Sequence, residues 1–396
     1  MYALLLAVIY LAFISLGLPD SLLGSGWPVM QPELGVPVSF AGILTMLIAM
    51  GTVVSSLCSD ALTRRFGAGK VTAVSVLMTA AALLGFSVSS QYWMLVLWSI
   101  PYGLGAGAVD GALNNYVALH YAARHMSWLH CFWGIGASIS PYIMSFALSG
   151  GYGWHSGYQI VGIIQLVLTA LLFLTLPLWK KVRPPKEKEA IQEAKENPPA
   201  SQEKHGSLLT TLKTAGVVPM LIAFCSYSVV EQTSMLWASS YLVQQRGMAA
   251  ETAAGFASLF FLGITLGRLL SGFISEKLGD KRLIRIGIIL ILIGIGLCFL
   301  PWEAATLSGL AVIGLGCAPI YPSIIHATPF NFGAASSQAV IGVEMAGAYI
   351  GTTFLPPLFG WLASQTTIGL LPVYLLLFTL LMLGMTEWVN RIVAKR

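Results

Sequence analysis

Asp20, Asp110, Glu231 and Glu344 each interrupt a long apolar stretch of the chain. An ionised carboxylate at the centre of a lipid-embedded helix costs roughly 3 kcal/mol or more, so such groups turn toward a cavity, an ion, a solute or a partner. The chemistry open to them is reversible: they bind a proton, ligate a cation or accept hydrogen bonds from hydroxyl groups. Asp110 and Asn114 stand one helical turn apart on one face and address the same space. His130 and Trp133 are placed likewise, pairing an imidazole suited to hydroxyl groups with an indole suited to stacking. No nucleophile and base, metal-ligand spacing or phosphate loop accompanies them, so neither an enzyme nor a cofactor is expected.

The elements that must position these residues are membrane helices. The chain has 396 residues, 56% of them hydrophobic and only 9% charged, a composition foreign to soluble domains. Its apolar runs are about twenty residues long, enough to cross a hydrocarbon core of roughly 30 Å. Hydropathy predicts about twelve spans, near 3–26, 38–60, 70–90, 93–120, 127–150, 157–179, 214–243, 252–275, 283–301, 304–327, 334–363 and 369–392. The first lacks a basic leader and a small-residue cleavage site and is expected to stay as a helix. Cys58, Cys131, Cys225, Cys298 and Cys317 are scattered singly and read as small core residues, not as a metal site.

Charge orients the bundle. Arg64, Arg65, Lys70, Arg124, Lys277, Lys281, Arg282, Arg285, Arg391, Lys395 and Arg396 all fall on one side, whereas Arg246 is the strong cation of the opposite loops. The positive-inside rule therefore places both termini and the central linker in the cytoplasm, and a location in the cell (plasma) membrane, an inner membrane, is expected. The net charge of +5 reflects this topology, and without a clustered basic surface no nucleic-acid partner is expected. The segment 180–213 is charged and proline-flanked, a solvated linker. It divides the chain into an N-terminal bundle (1–179) and a C-terminal bundle (214–396), and a monomer is expected.

The two halves repeat one another. Superposing Gly103, Leu104, Gly105 on Gly314, Leu315, Gly316 gives an offset of about 211 residues, which carries Asp20 onto Glu231 and Asn115 onto His326. A slip of about three residues sets His130 opposite Glu344. Recurrent polar positions suit two packed bundles with a site between them. A second repeat is more specific: GRLLSGFISEKLGDKR over 267–282 echoes SSLCSDALTRRFGAGK over 55–70. Each offers a carboxylate, Asp60 or Glu276, beside basic residues (Arg64 and Arg65, or Lys277 and Arg282) at a glycine turn, a latch for neighbouring helix ends.

These loops resemble the loop motif of the major facilitator superfamily, and the resemblance covers the whole chain. Within it, GLGAGAVDGALNNYVALH over 103–120, with Asp110 four residues before Asn114, is similar to the fucose:proton symporter branch. Asp20 in LGLPDSLLGSGWP stands where that family has its other key acid, and His130 stands where a sugar-contacting glutamine is common. The resemblance implies an all-α fold of two pseudo-symmetric six-helix bundles and a sugar transporter. Asp110, Asn114, Asn115, His130, Trp133, Glu231 and His326 are the expected solute-binding residues, and Asp20 and Asp110 the expected proton carriers. Arg268 and Glu344, at similar depth in their helices, are expected to form a buried ion pair that serves gating with the latch residues.

The mechanism expected is alternating access, in which the halves rock about a midplane site and a proton taken up outside is released inside with the solute. Sodium coupling is a close variant. A proton-coupled exporter of drugs or metabolites would use the same fold, although 134–142 carries only GIGASISPY of an antiporter signature. A membrane sensor or scaffold without flux is the remaining alternative.

Overall fold

The computed structural model describes residues 2–120, 123–181 and 211–394. Most of the linker expected over 180–213 lies outside the described residues. The first half contains α1 (Tyr2–Asp20), α2 (Leu22–Leu34), α3 (Phe40–Phe66), α4 (Ala68–Ser87), α5 (Tyr92–His120), α6 (Ala123–Ser149), α7 (Gly153–Leu174) and the short α8 (Leu176–Lys181). The second contains α9 (Val217–Arg246), α10 (Ala250–Leu278), α11 (Asp280–Cys298), α12 (Glu303–Cys317), α13 (Ile320–Phe332), α14 (Ala334–Gln365) and α15 (Leu371–Val393). The fold is all-α. Large apolar side chains such as Phe146, Val167, Leu174, Phe273 and Leu377 point outward, as hydrocarbon surroundings allow and water would not.

Two expected spans are each divided. The first long span, Ala3–Leu34, is interrupted at Ser21, and the span Glu303–Phe332 changes helix at Ala318 and Pro319. Eight helices or helix pairs among the described residues are apolar and long enough to cross a membrane by composition alone. α9 falls below that standard because it buries Ser226, Ser228, Glu231, Thr233, Ser234, Ser239 and Ser240. A helix with protein on most sides tolerates polar groups that a lipid-facing helix does not.

Within the first half, α5 packs on α3 and α4, α4 on α7, and α1 on α6; within the second, α9 packs on α14 and α15, and α12 on α10 and α11. The halves meet along α6 with α10, α2 with α9, and α3 with α14. These seams gather at the end remote from the N-terminus: the Ser239 hydroxyl donates to the Ser25 carbonyl at 3.3 Å. A Cβ at Gly42 would lie 2.6 Å from Pro357, and one at Gly255 would lie 3.2 Å from the Ser145 hydroxyl.

Prolines explain how α1 is fixed against its neighbours. Pro19 has no N–H to give the carbonyl of Ser15 one turn back, and a buried carbonyl without a donor is costly. Gln165, fully buried on α7, supplies the donor through Nε2. Pro141 likewise frees the carbonyl of Ala137, and the Ser21 hydroxyl donates to it at 2.8 Å. Each freed carbonyl is thus bonded from a distant segment, Ser15 from α7 and Ala137 from the break between α1 and α2, and the second of these bonds places Asp20 against α6. Glycine permits the approach: a Cβ at Gly136 would collide with the Ile14 carbonyl, and one at Gly17 would lie 2.9 Å from the Ala137 nitrogen.

Candidate functional site

Asp20 closes α1 with its carboxylate exposed, although it sits between helices in the middle of the chain's first long span. A solvent-reached acid at that depth marks a hollow between the bundles. The Trp133 indole Nε1 donates to Asp20 Oδ2 at 2.8 Å, a charge-assisted contact when the acid is ionised. The Tyr102 hydroxyl donates to Oδ1 at a longer 3.4 Å. Asp110, on α5, accepts from Asn114 Nδ2 at 2.8 Å. The expected alignment of these two residues on one face is therefore observed, but the amide is engaged by the acid. Asn114 Oδ1 is buried and has no partner among the described residues. Asp110 lies within electrostatic range of Asp20, and also of Tyr321 and Tyr349 from the second half, so both acids sit near the boundary between the halves.

The second half contributes Arg268. Its Nη2 reaches Glu231 Oε1 at 3.4 Å, and its guanidinium carbon lies 5.0 Å from the centre of the Trp133 ring. The side chains of Arg268 and Glu231 are only 16% and 11% exposed, which screens this pair far less than a surface contact. Asp20, Trp133, Arg268 and Glu231 consequently form one continuous chain across the boundary between halves. His130 sits one turn before Trp133, packs edge-on against Phe13 at 5.9 Å and lies within electrostatic range of Arg268.

Two expectations need correction. Arg268 pairs with Glu231, not with Glu344; equal depth along two helices does not make their side chains point together. Glu344 is fully buried and accepts from the Thr328 hydroxyl at 2.9 Å, which ties α14 to α13. His326 is not beside the hollow acids: its ring is 70% exposed and its Nδ1 lies 2.8 Å from Asp280 Oδ2, at the start of α11. The restart of the helix after Pro319 sets that register, which an offset taken from glycines does not see.

The latch residues are only partly visible. The side chains of Asp60, Arg64, Glu276 and Asn115 lie outside the described residues. Arg65, Lys277 and Arg282 are exposed, and Arg65 lies 5.3 Å over the ring of Phe66. A bidentate pair that sequence reasoning missed joins α11 to α15, where Arg285 Nε and Nη2 donate to Glu387 at 2.5 and 2.7 Å. Tyr102, Tyr321 and Asp280 were missed as well. Asp280 lay inside the repeated loop motif, whereas the two tyrosines carried no signal that separates them from other buried aromatics.

Comparison with known proteins follows the same outline. The family description "Major Facilitator Superfamily" matches residues 9–259 and 250–392. The chain is 23% identical over 379 residues to the cis,cis-muconate transport protein of Acinetobacter baylyi, covering 91% of this chain and 87% of that protein. It is 21% identical over 368 residues to the glucose/mannose transporter GlcP of Bacillus subtilis, covering 91% and 88%. A match to bypass of stop codon protein 6 of Saccharomyces cerevisiae, 22% identical, takes in 68% of this chain but only 56% of that protein. Among solved structures, the nucleoside transporter NupG superposes with a TM-score of 0.72 at 16% identity, covering 97% of each chain. That likeness concerns the fold.

Proposed function

Because the chain belongs to the Major Facilitator Superfamily, we propose that it is a proton-coupled secondary transporter for a small, neutral, hydroxyl-rich solute, a monosaccharide first among these. The observation that carries the reading is the exposed carboxylate of Asp20 held deep between the halves by Trp133. Proton binding there removes a charge that the closing hollow would otherwise have to desolvate, and proton loss restores it. The seams at the end remote from the N-terminus leave the hollow opening toward the termini, and with both termini in the cytoplasm this is the inward-facing arrangement of a plasma-membrane protein. Rocking about those seams exposes the same residues to the other side.

Charge argues for a neutral solute. Among the described residues around the hollow, the cation is Arg268, and it is engaged by Glu231 and by the face of Trp133. Asp20 and Asp110 add two further carboxylates. A carboxylated solute such as muconate would enter a space with no free positive partner among the described residues, whereas sugar hydroxyl groups donate to carboxylates and lay their apolar face on an indole. The similarity to a glucose/mannose transporter is in keeping with this choice.

A thermal-shift panel of D-glucose, D-mannose, D-xylose and cis,cis-muconate, each with and without sodium, tests the reading. A stabilising response to a neutral sugar at acidic pH, indifferent to sodium, is expected. A response to muconate alone would remove the substrate assignment, and a strict sodium requirement would remove the proton.

A further inference from the structure

Trp133 occupies an unusual position: one ring serves both halves. Its N–H donates to Asp20 of the first half at 2.8 Å, and its face receives Arg268 of the second half at 5.0 Å. The Ser21 hydroxyl on the Ala137 carbonyl holds α1 against α6 one turn away, so the indole cannot follow one partner without changing its relation to the other. Beyond Trp133, α6 and α10 are in close contact toward the remote end, where Ser145 approaches Gly255. The Arg268 contact therefore lies at the inner end of a long seam that alternating access must open and close.

We propose that Trp133 is a positioning residue that transmits the charge state of Asp20 to Arg268, and through it to the α6/α10 seam. The inference rests on the proton-coupled reading above. An ionised Asp20 accepts a charge-assisted bond from the indole and fixes the ring beneath the guanidinium. A protonated Asp20 is a weaker acceptor, the ring is released, and Arg268 loses its stacking platform. The arrangement seen here, open toward the termini, is then favoured while Asp20 is ionised and disfavoured as pH falls through its titration. The other titratable groups facing this chain among the described residues are Tyr102 and Asp110 on α5, His130 and Cys131 on α6, Glu231 and Tyr227 on α9, Cys317 on α12 and Tyr321 on α13.

The test needs no solute. Spin labels at Tyr152 and Trp302, which are 65% and 66% exposed on opposite halves at the remote end, report the seam in a background with the five cysteines replaced. In the parent, the ratio of remote-end-open to remote-end-closed distances should rise about tenfold between about pH 8.5 and 5.5, the scale of one hydrogen bond to a charged group. Trp133→Phe retains a ring for Arg268 but removes the donor, and should reduce the change to less than about threefold. Arg268→Lys keeps the charge without planar stacking; it should flatten the response equally and provides an independent arm should the Trp133 variant fail to fold. Adding Asp20→Asn to Trp133→Phe should produce no further change. A full response in both single variants overturns the inference and leaves proton-coupled transport standing. A parent without pH response removes both.

Discussion

Asp20 and Asp110 both sit near the boundary between the halves but do not share a role, because their partners differ. Asp20 is exposed and bonded by an indole that also touches the opposite half, whereas Asp110 is bonded by Asn114 of its own helix. Asp20→Asn should mimic the protonated acid, weakening the Trp133 contact and abolishing proton-driven accumulation; downhill exchange of the same solute should persist within about threefold, the effect of losing charge assistance. Asn114→Ala removes the donor to Asp110, so it should move the pH profile of transport more than the apparent solute affinity, and affinity loss without a profile shift would return Asn114 to direct solute contact. Tyr102→Phe should be mild, within about threefold in transport rate, since its bond to Asp20 is 3.4 Å long. Chemical type was readable from the sequence at this scale: all four acids were recognised as costly in lipid. Direction is not readable: depth along a helix leaves the azimuth free, so equal depth with Glu344 does not disclose that Arg268 turns to Glu231.

At the scale of the helices, the interruptions do the positioning. Pro19 and Pro141 each free a carbonyl, and Gln165 and Ser21 each supply the missing donor from a neighbouring helix. Gln165→Leu should destabilise the protein by about 1–3 kcal/mol through the orphaned Ser15 carbonyl, read as a lowered melting temperature in detergent. Ser21→Ala should cost about as much and additionally loosen Asp20 from Trp133, so it should impair coupling where Gln165→Leu does not. An unchanged melting temperature in both variants would mean that water satisfies these carbonyls. Thr328→Val should also destabilise, by about 1–3 kcal/mol, because the fully buried Glu344 loses the hydroxyl it accepts from. The prolines were legible in sequence as bends. Their hydrogen-bond replacements were not, since Gln165 lies far from Ser15 along the chain and one buried glutamine resembles any other.

For the whole molecule, hydropathy and the internal repeat revealed the helical architecture, because a lipid-facing helix must be apolar over its whole length and a duplicated bundle repeats its breaks. The repeat was less reliable for individual side chains. It related Asp20 to Glu231, and the two do sit at opposite ends of the Trp133 and Arg268 chain. It also related Asn115 to His326, which instead pairs with Asp280 away from the hollow. Pseudo-symmetry preserves backbone paths more faithfully than side-chain duties. The asymmetry is concrete: the first half holds the carboxyl of Asp20 and the second holds the guanidinium of Arg268, and both touch the one ring of Trp133, the arrangement on which the proposed coupling rests.

The most direct measurement is proton flux in proteoliposomes loaded with a pH-sensitive dye, with D-glucose, D-mannose or D-xylose added outside in the absence of sodium and of any imposed gradient. The account predicts that at least one sugar acidifies the lumen of vesicles containing the parent protein and that none does so with Asp20→Asn, although labelled sugar still equilibrates. Sugar entry without proton movement in the parent, or the same acidification in the Asp20 variant, would contradict it.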